Sequence, residues 1–199
     1  MTTLVLASGN RKKLEEMRAI LAPLDREVVP QSDFDVPEAE ETGLTFVENA
    51  ILKARNAARH TGLPAIADDS GLEVDALNGA PGIYSARFSG ADASDAKNNA
   101  LLVEMLGDLP EAPRTARYQA VLVLMRHAED PTPLICQGTW EGEIVLDPRG
   151  EHGFGYDPYF LLPDLGKTAA ELDPVEKNRV SHRGRALAEL IARLNGDRG

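Results

Sequence analysis

The sequence predicts a mixed α/β fold, a β-sheet with helices packed on it. Three observations carry this. Short apolar, strand-like runs interleave with stretches of helical periodicity. The middle of the chain reads as successive strands of the antiparallel kind, so the sheet should be mixed. Composition is that of a packed core: 43% of the 199 residues are hydrophobic and 27% are charged. That excludes a disordered, collagen-like or coiled-coil chain. The length suits one domain, or two lobes sharing a core.

The elements follow in order. Residues 4–7 are a short strand of the buried type. Residues 11–22 read as a helix with Leu14, Met17 and Leu21 on one face, and Ser8-Gly9-Asn10 lies between them. The second helix is better marked. Thr45 and Glu48 form a capping box; Val47, Ala50, Ile51, Ala54 and Ala58 keep helical spacing; Gly62 and Pro64 stop it. Residues 65–67 read as a strand ending in Asp68-Asp69-Ser70-Gly71, and residues 72–77 alternate as a further strand. Residues 78–90 hold glycines and a proline and read as a loop. Residues 94–106 are a helix closed by Gly107, residues 116–125 a long strand, and residues 134–146 should hold two more. A glycine-aromatic loop at 153–158 leads into a strand near 159–162. Asp173 as N-cap and Pro174 at the first position start a short helix, and residues 181–194 form the last.

Charge excludes some functions. The 21 basic and 32 acidic residues leave a net charge of -11. Phosphate backbones repel such a chain, so no nucleic-acid partner is expected. A small anion would need a local basic cluster or a bound cation. The single cysteine, Cys136, allows no internal disulfide, and no Cys/His spacing suggests zinc. Residues 1–7 lack the basic and long apolar regions of a secretory signal. The longest pure apolar run, residues 120–125, is far too short to span a bilayer. No membrane partner is expected, and the simplest location is the cytoplasm.

Five segments and one isolated lysine could carry chemistry. Ser8-Gly9-Asn10-Arg11-Lys12-Lys13 joins a strand to a helix, which aims backbone N–H groups and the positive helix end at one point. Ser8 and Asn10 add side-chain donors and Lys13 reaches back, an arrangement suited to phosphate. It also reads as an N-cap followed by a solvated basic turn. Asp68-Asp69-Ser70-Gly71 offers carboxylates to a hard cation such as magnesium. Neighbours on a strand face opposite ways, so only one aspartate would face a given cleft. A solvated Asx turn is the plainer reading. The acidic stretch 38–41 could supply a second carboxylate, or be solvated surface. Lys53 lies at the polar edge of the second helix, where a snorkelling lysine is common.

Gly153-Phe154-Gly155-Tyr156-Asp157-Pro158 begins a dense aromatic segment. Phe154, Tyr156, Tyr159 and Phe160 are four of the ten aromatics in the chain. Glycines beside Phe154 let the backbone approach a flat ligand, and the ring offers a stacking face; an aromatic plug is the alternative. Lys177 to Arg185 is a basic island in an acidic chain, with Ser181 capping the last helix and His182 and Arg183 at its positive end. It could hold phosphate or read a base edge, or be a solvated charged turn. Gly166-Lys167-Thr168 mimics a P-loop end, but Leu161 stands where its first glycine is required.

These segments in order resemble one family. They are Ser8-Gly9-Asn10 with Lys13, Glu41-Thr42-Gly43-Leu44-Thr45-Phe46 with Glu48-Asn49-Ala50 and Lys53, and Ala67-Asp68-Asp69-Ser70-Gly71. Gly79-Ala80-Pro81-Gly82-Ile83-Tyr84-Ser85-Ala86-Arg87, the 153–158 loop and Ser181-His182-Arg183-Gly184 complete the set. The chain is similar, over residues 4–194, to the inosine/xanthosine triphosphate pyrophosphatases. The resemblance implies a single domain over residues 1–199, with a long central sheet and flanking helices forming two lobes around an active-site cleft. It implies a homodimer, a magnesium requirement, and hydrolysis of ITP, dITP and XTP to the monophosphate and pyrophosphate. Asp69, Lys13 and Lys53 would be catalytic, and Asp69 and Glu41 would hold the metal. Substrate would meet Ser8, Gly9, Asn10, Arg11, Lys12, Lys13, Ser70, Phe154, Gly155, Tyr156, Asp157, Lys177, His182 and Arg183. A pyrophosphatase for modified pyrimidine nucleotides and a nucleotide-binding protein without turnover are the rival readings.

Overall fold

A computed structural model describes residues 2–196. Seven strands form one mixed sheet in the order β2-β1-β3-β4-β5-β6-β7. They are β1 (Thr2–Leu6), β2 (Arg26–Pro30), β3 (Ala65–Val74), β4 (Thr115–Met125), β5 (Leu134–Ile144), β6 (Phe160–Leu162) and β7 (Lys167–Thr168). The helices are α1 (Arg11–Leu21), α2 (Phe46–Thr61), α3 (Asp95–Gly107), α4 (Pro174–Val180) and α5 (His182–Gly196). Among the described residues no helix is long and apolar enough to cross a membrane. The chain divides into two compact units. The first comprises the residues up to Asp69, Ala120–Gln137, and those from Ala186 onward; the second comprises Ser70–Gln119 and Gly138–Arg185.

In the first unit β1 runs parallel to both β2 and β3, with Thr2 opposite Arg26 and Val5 opposite Ala65. Successive side chains of β1 go to opposite cores. Leu4 and Leu6 pack with Met17 and Leu21 of α1 and with Leu187, Leu190 and Leu194 of α5. Val5 and Ala7 pack with Ala50, Ala54, Ala57 and Ala58 of α2. Both faces are therefore covered, which is why the strand reads as one apolar run rather than an alternation. The second unit has its own core, with Leu72, Leu102, Leu106, Trp140 and Phe160 among its members. There β6 is antiparallel to both β5 and β7.

The predicted helices stand within a residue or two of their ends, and the capping box of α2 is complete at both Thr45 and Glu48. The strands differ more. Residues 65–74 are one strand, not two, and Asp68-Asp69-Ser70-Gly71 lies inside it. Lysine partners take both carboxylates, described below, so the acidic pair does not have to turn out to water. Residues 134–144 are likewise one strand. Its Gly142 is not a break but a close approach: a Cβ there would lie 2.6 Å from the Leu161 carbonyl oxygen and from the Phe160 ring. Strands β2 and β7 were not foreseen; five and two residues long, they carry too little alternation to register.

Candidate active site

The first unit gathers one polar cluster at the ends of β1 and α2. Asn10 caps α1: its Oδ1 accepts the Lys13 N–H at 3.2 Å, and its own N–H donates to Ser8 Oγ at 3.1 Å. The capping side chain thus consumes one helix-start amide that was expected to face phosphate. Lys13 leans back and donates to Asp68 Oδ2 at 2.6 Å. On α2, Lys53 bridges two carboxylates, Asp69 Oδ1 at 3.0 Å and Glu41 Oε1 at 3.2 Å. Strand alternation separates the aspartates as expected, but each finds its own lysine, so both belong to the cluster.

Glu41 is held there by the turn that follows it. The Gly43 N–H donates to Asn49 Oδ1 at 2.8 Å, and the Leu44 and Thr45 N–H groups both donate to Glu48 Oε2 at 2.9 Å. A Cβ on Gly43 would lie 2.5 Å from that of Glu48, so only glycine lets the acidic loop lie on the helix start. Ser8, Gly9, Lys13, Glu41, Lys53 and Asp68 line a cavity of about 230 Å³, with Gln31 and Glu38 also on its wall. Sequence reasoning gave no role to Asn49 or Gln31, and of the two candidate aspartates it chose Asp69 alone. Asn49 sat within a quoted motif, and its full burial is the signal a helix reading could have used.

The electrostatics are those of a tight mixed-charge cluster. Burial pushes the Lys53 ammonium down, but Asp69, Glu41 and Asp68 outweigh it and hold its pKa above the ordinary lysine value. Burial pushes the Asp69 carboxyl up, and the pull of Lys53 does not cancel this. The second oxygen of Asp69, Oδ2, is buried and has no hydrogen-bond partner among the described residues. An unpaired buried carboxylate oxygen is costly unless something else takes it.

That oxygen decides how a cation fits. Asp69 Oδ2 and the nearby Glu41 carboxylate are oxygen donors of the kind magnesium takes, one or two carboxylates with waters and substrate phosphates completing the shell. No group of three His, Cys, Asp or Glu that could cage a metal exists among the described residues. The two carboxylates fit a hard divalent cation whose shell is completed by waters or phosphate oxygens. Arg11 is turned away: its side chain is 89% exposed and pairs with Glu15. The Lys12 side chain lies outside the described residues. Ser70 follows Asp69 in β3 and is half-buried.

The second unit holds the aromatic cluster. Phe154 is 64% exposed, and the Lys177 ammonium lies 5.1 Å from its ring centroid. Asp157 is 3% exposed and is the hub. Its carboxylate accepts from the Tyr118 hydroxyl at 3.2 Å, from the Phe154 N–H at 2.9 Å, and from Lys177. Burial and the Asp157 charge push the Tyr118 phenol well up, so it stays a donor. Gly153 has φ +79°, and a Cβ there would meet Asp157 Oδ2 at 2.0 Å. The His182 ring stacks on Tyr118 at 4.7 Å and 10°. Arg183 is half-buried beside it in sequence at the start of α5.

Tyr156 departs from the expected role. It was expected to meet substrate, but its ring is buried and its hydroxyl donates to the Ser85 carbonyl at 2.7 Å, so it anchors the loop. At the α4–α5 corner, a Cβ on Gly184 would lie 1.8 Å from the Asn178 carbonyl oxygen. Backbone cannot yield as a side chain does, so Gly184→Ala should destabilise the fold by about 1–3 kcal/mol. A lower denaturant midpoint at unchanged slope is the expected reading, and an unchanged midpoint would refute the close packing of that corner.

The chain is similar to known proteins along nearly its whole length. The sequence model of the Ham1 family matches residues 4–193. The chain is 58% identical over 193 residues to a dITP/XTP pyrophosphatase of Thioalkalivibrio sulfidiphilus, covering 97% of this chain and 98% of that one. It is 58% identical over 194 residues to a dITP/XTP pyrophosphatase of Escherichia coli K12, covering 98% of each. Among solved structures, a HAM1 protein from Coxiella burnetii superposes with a TM-score of 0.96 at 53% identity, covering 98% of this chain and 100% of that one.

Proposed function

The chain belongs to the Ham1 family, and from that premise we propose that it is a magnesium-dependent nucleoside-triphosphate pyrophosphohydrolase acting on ITP, dITP and XTP. Such an activity clears deaminated purines from the nucleotide pool. The observation that carries the reading is the first-unit cluster: an acidic chain concentrates Lys13, Lys53, Asp68 and Glu41 around one cavity, with Asp69 paired to Lys53. A triphosphate needs that local positive charge, and its cation needs those carboxylates. The named activities of the relatives agree with it.

In this mechanism water attacks the α-phosphorus. The new bond joins the water oxygen to that phosphorus, and the bond from the phosphorus to the bridging oxygen breaks. The products are the nucleoside monophosphate and pyrophosphate. Lys13 and the start of α1 hold phosphate oxygens. Asp69 and Glu41 would hold magnesium, which when bound would supply charge neutralisation and polarise the reacting groups. Lys53 fixes those two carboxylates in register, through contacts of 3.0 and 3.2 Å. Asp69 Oδ2, buried and without a hydrogen-bond partner among the described residues, is the acceptor that a cation would take.

Base choice belongs to the second unit. Phe154 supplies the stacking face, and Lys177, His182 and Arg183 supply donors. Hypoxanthine and xanthine present an acceptor oxygen at position six, where adenine presents an amino donor. A fixed donor there leaves adenine's donor unpaired, which rejects ATP. Homodimerisation, on the family resemblance, and a cytoplasmic location, on the sequence reading, complete the proposal.

The test is a turnover panel with magnesium on ITP, XTP, dITP, GTP, ATP and dTTP, run with and without added inorganic pyrophosphatase. Strong turnover of ITP and XTP, with phosphate appearing only when the coupling enzyme is present, is the expected result. Free phosphate without it would place attack at the terminal phosphorus and overturn the mechanism. Strong turnover of dTTP alone would favour the pyrimidine rival, and ITP binding without turnover the binding-protein rival.

A further inference from the structure

We propose that Asp95 and Asn99 of α3 are positioning residues for base recognition, acting by clamping Gly155 in the 153–158 loop. The inference rests on the reading of that loop as the base site. Gly155 lies between the exposed Phe154 ring and the buried Tyr156 anchor. It has φ +62°, and a Cβ would touch nothing within 4 Å, so the space on its side-chain side is open. Its two backbone groups are held instead. The Gly155 N–H donates to Asp95 Oδ2 at 2.8 Å, and its carbonyl accepts from Asn99 Nδ2 at 2.9 Å. Positions four apart on a helix share a face, so α3 presents one acceptor and one donor side by side. A glycine so pinned loses the torsional freedom that would let the Phe154 ring swing.

Two further observations favour this role over simple loop packing. Asn99 is 7% exposed, yet its Oδ1 has no hydrogen-bond partner among the described residues. A buried acceptor left unpaired is destabilising, so stability alone would favour an apolar residue there. The neighbouring Asn98 braces the other side of the loop. Its Nδ2 donates to the Ser85 carbonyl at 3.3 Å, the same oxygen that accepts the Tyr156 hydroxyl. The polar first turns of α3 thus fix both the anchor and the pivot of the segment that carries Phe154.

Steady-state kinetics on ITP, with inhibition by IMP and by pyrophosphate measured separately, tests the clamp in the intact enzyme. Asp95 is exposed, so Asp95→Ala leaves the core untouched. Loss of one charge-assisted hydrogen bond to the pivot should raise the ITP KM and the IMP inhibition constant about tenfold. The value of kcat and the pyrophosphate inhibition constant should stay within about twofold. Asp95→Asn keeps an acceptor for the Gly155 N–H and should restore most of the loss, which a charge effect would not. Asn99→Ala should shift the same constants in the same direction; if it does not fold, Asp95→Ala decides alone. Unchanged KM and IMP inhibition in Asp95→Ala would overturn the proposal. So would equal weakening of IMP and pyrophosphate, or an Asp95→Asn no better than alanine. A wild-type enzyme that neither turns over ITP nor binds IMP would overturn the base-site reading as well, whereas an active wild type with unaffected variants would overturn the clamp alone.

Discussion

Asp69→Asn should cost about 10²–10⁴-fold in turnover or more while the fold survives. The asparagine has the same shape, and its Oδ1 still accepts from Lys53, now 3.0 Å from the carboxylate. The lysine is therefore not stranded. What disappears is the charge on the second oxygen, the buried atom with no partner among the described residues. In its place stands an NH2 group that repels a cation and donates where an acceptor is needed. Circular dichroism and the thermal midpoint should resemble the wild type, while release of pyrophosphate from ITP falls away. A variant with near-normal turnover would remove Asp69 from the mechanism, whatever its place in the cluster. The same experiment on Asp68, which faces Lys13 at 2.6 Å, should be milder, because that carboxylate is already neutralised by one strong partner.

The contrast between these neighbours shows what the sequence makes legible. Strand alternation alone separates Asp68 from Asp69, and the capping box alone fixes the start of α2. Both are local rules, and both were readable. That Lys13, Lys53 and Glu41 share a site with Asp69 came from the family resemblance alone, and the ion pairs they make could not be read from spacing, because those contacts join residues up to 55 positions apart. The lysines themselves looked ordinary, as snorkelling lysines do; only the carboxylates they meet give them a role. For the same reason β3 read as two strands: without its lysine partners an Asp-Asp pair belongs in water. Tyr118 escaped notice because a buried strand tyrosine looks like core, and its contacts with Asp157 and His182 reach 39 residues and more along the chain. Of the two readings open for the turn at residues 8–13, ligand donors or an N-cap, the cap is the one that forms at Asn10, the common fate of asparagine before a helix.

Asp157→Ala should be the most damaging change in the second unit. Three donors converge on this carboxylate, from Tyr118, the Phe154 backbone and Lys177. Removing one member of a buried, hydrogen-bonded charge pair costs about 3–5 kcal/mol, because the partner is left uncompensated. Here the loss has a directional consequence. Lys177 is released from its place 5.1 Å from the Phe154 ring, and the 153–158 loop loses its inner tie. The expected outcome is a fall of about 10² in kcat/KM for ITP with a lowered melting temperature, while pyrophosphate still inhibits at its wild-type concentration. Lys177→Met should weaken ITP use as well, and the double variant should lose less than the sum of the two, since each single change strands the other's partner. Additive losses would show that Asp157 and Lys177 act independently, and equal loss of pyrophosphate inhibition would show that the residue holds the fold rather than the base. The hub is also why Gly153 must be glycine: with the carboxylate oxygen 2.0 Å from where a Cβ would stand, any side chain there would break the same ties from the other direction.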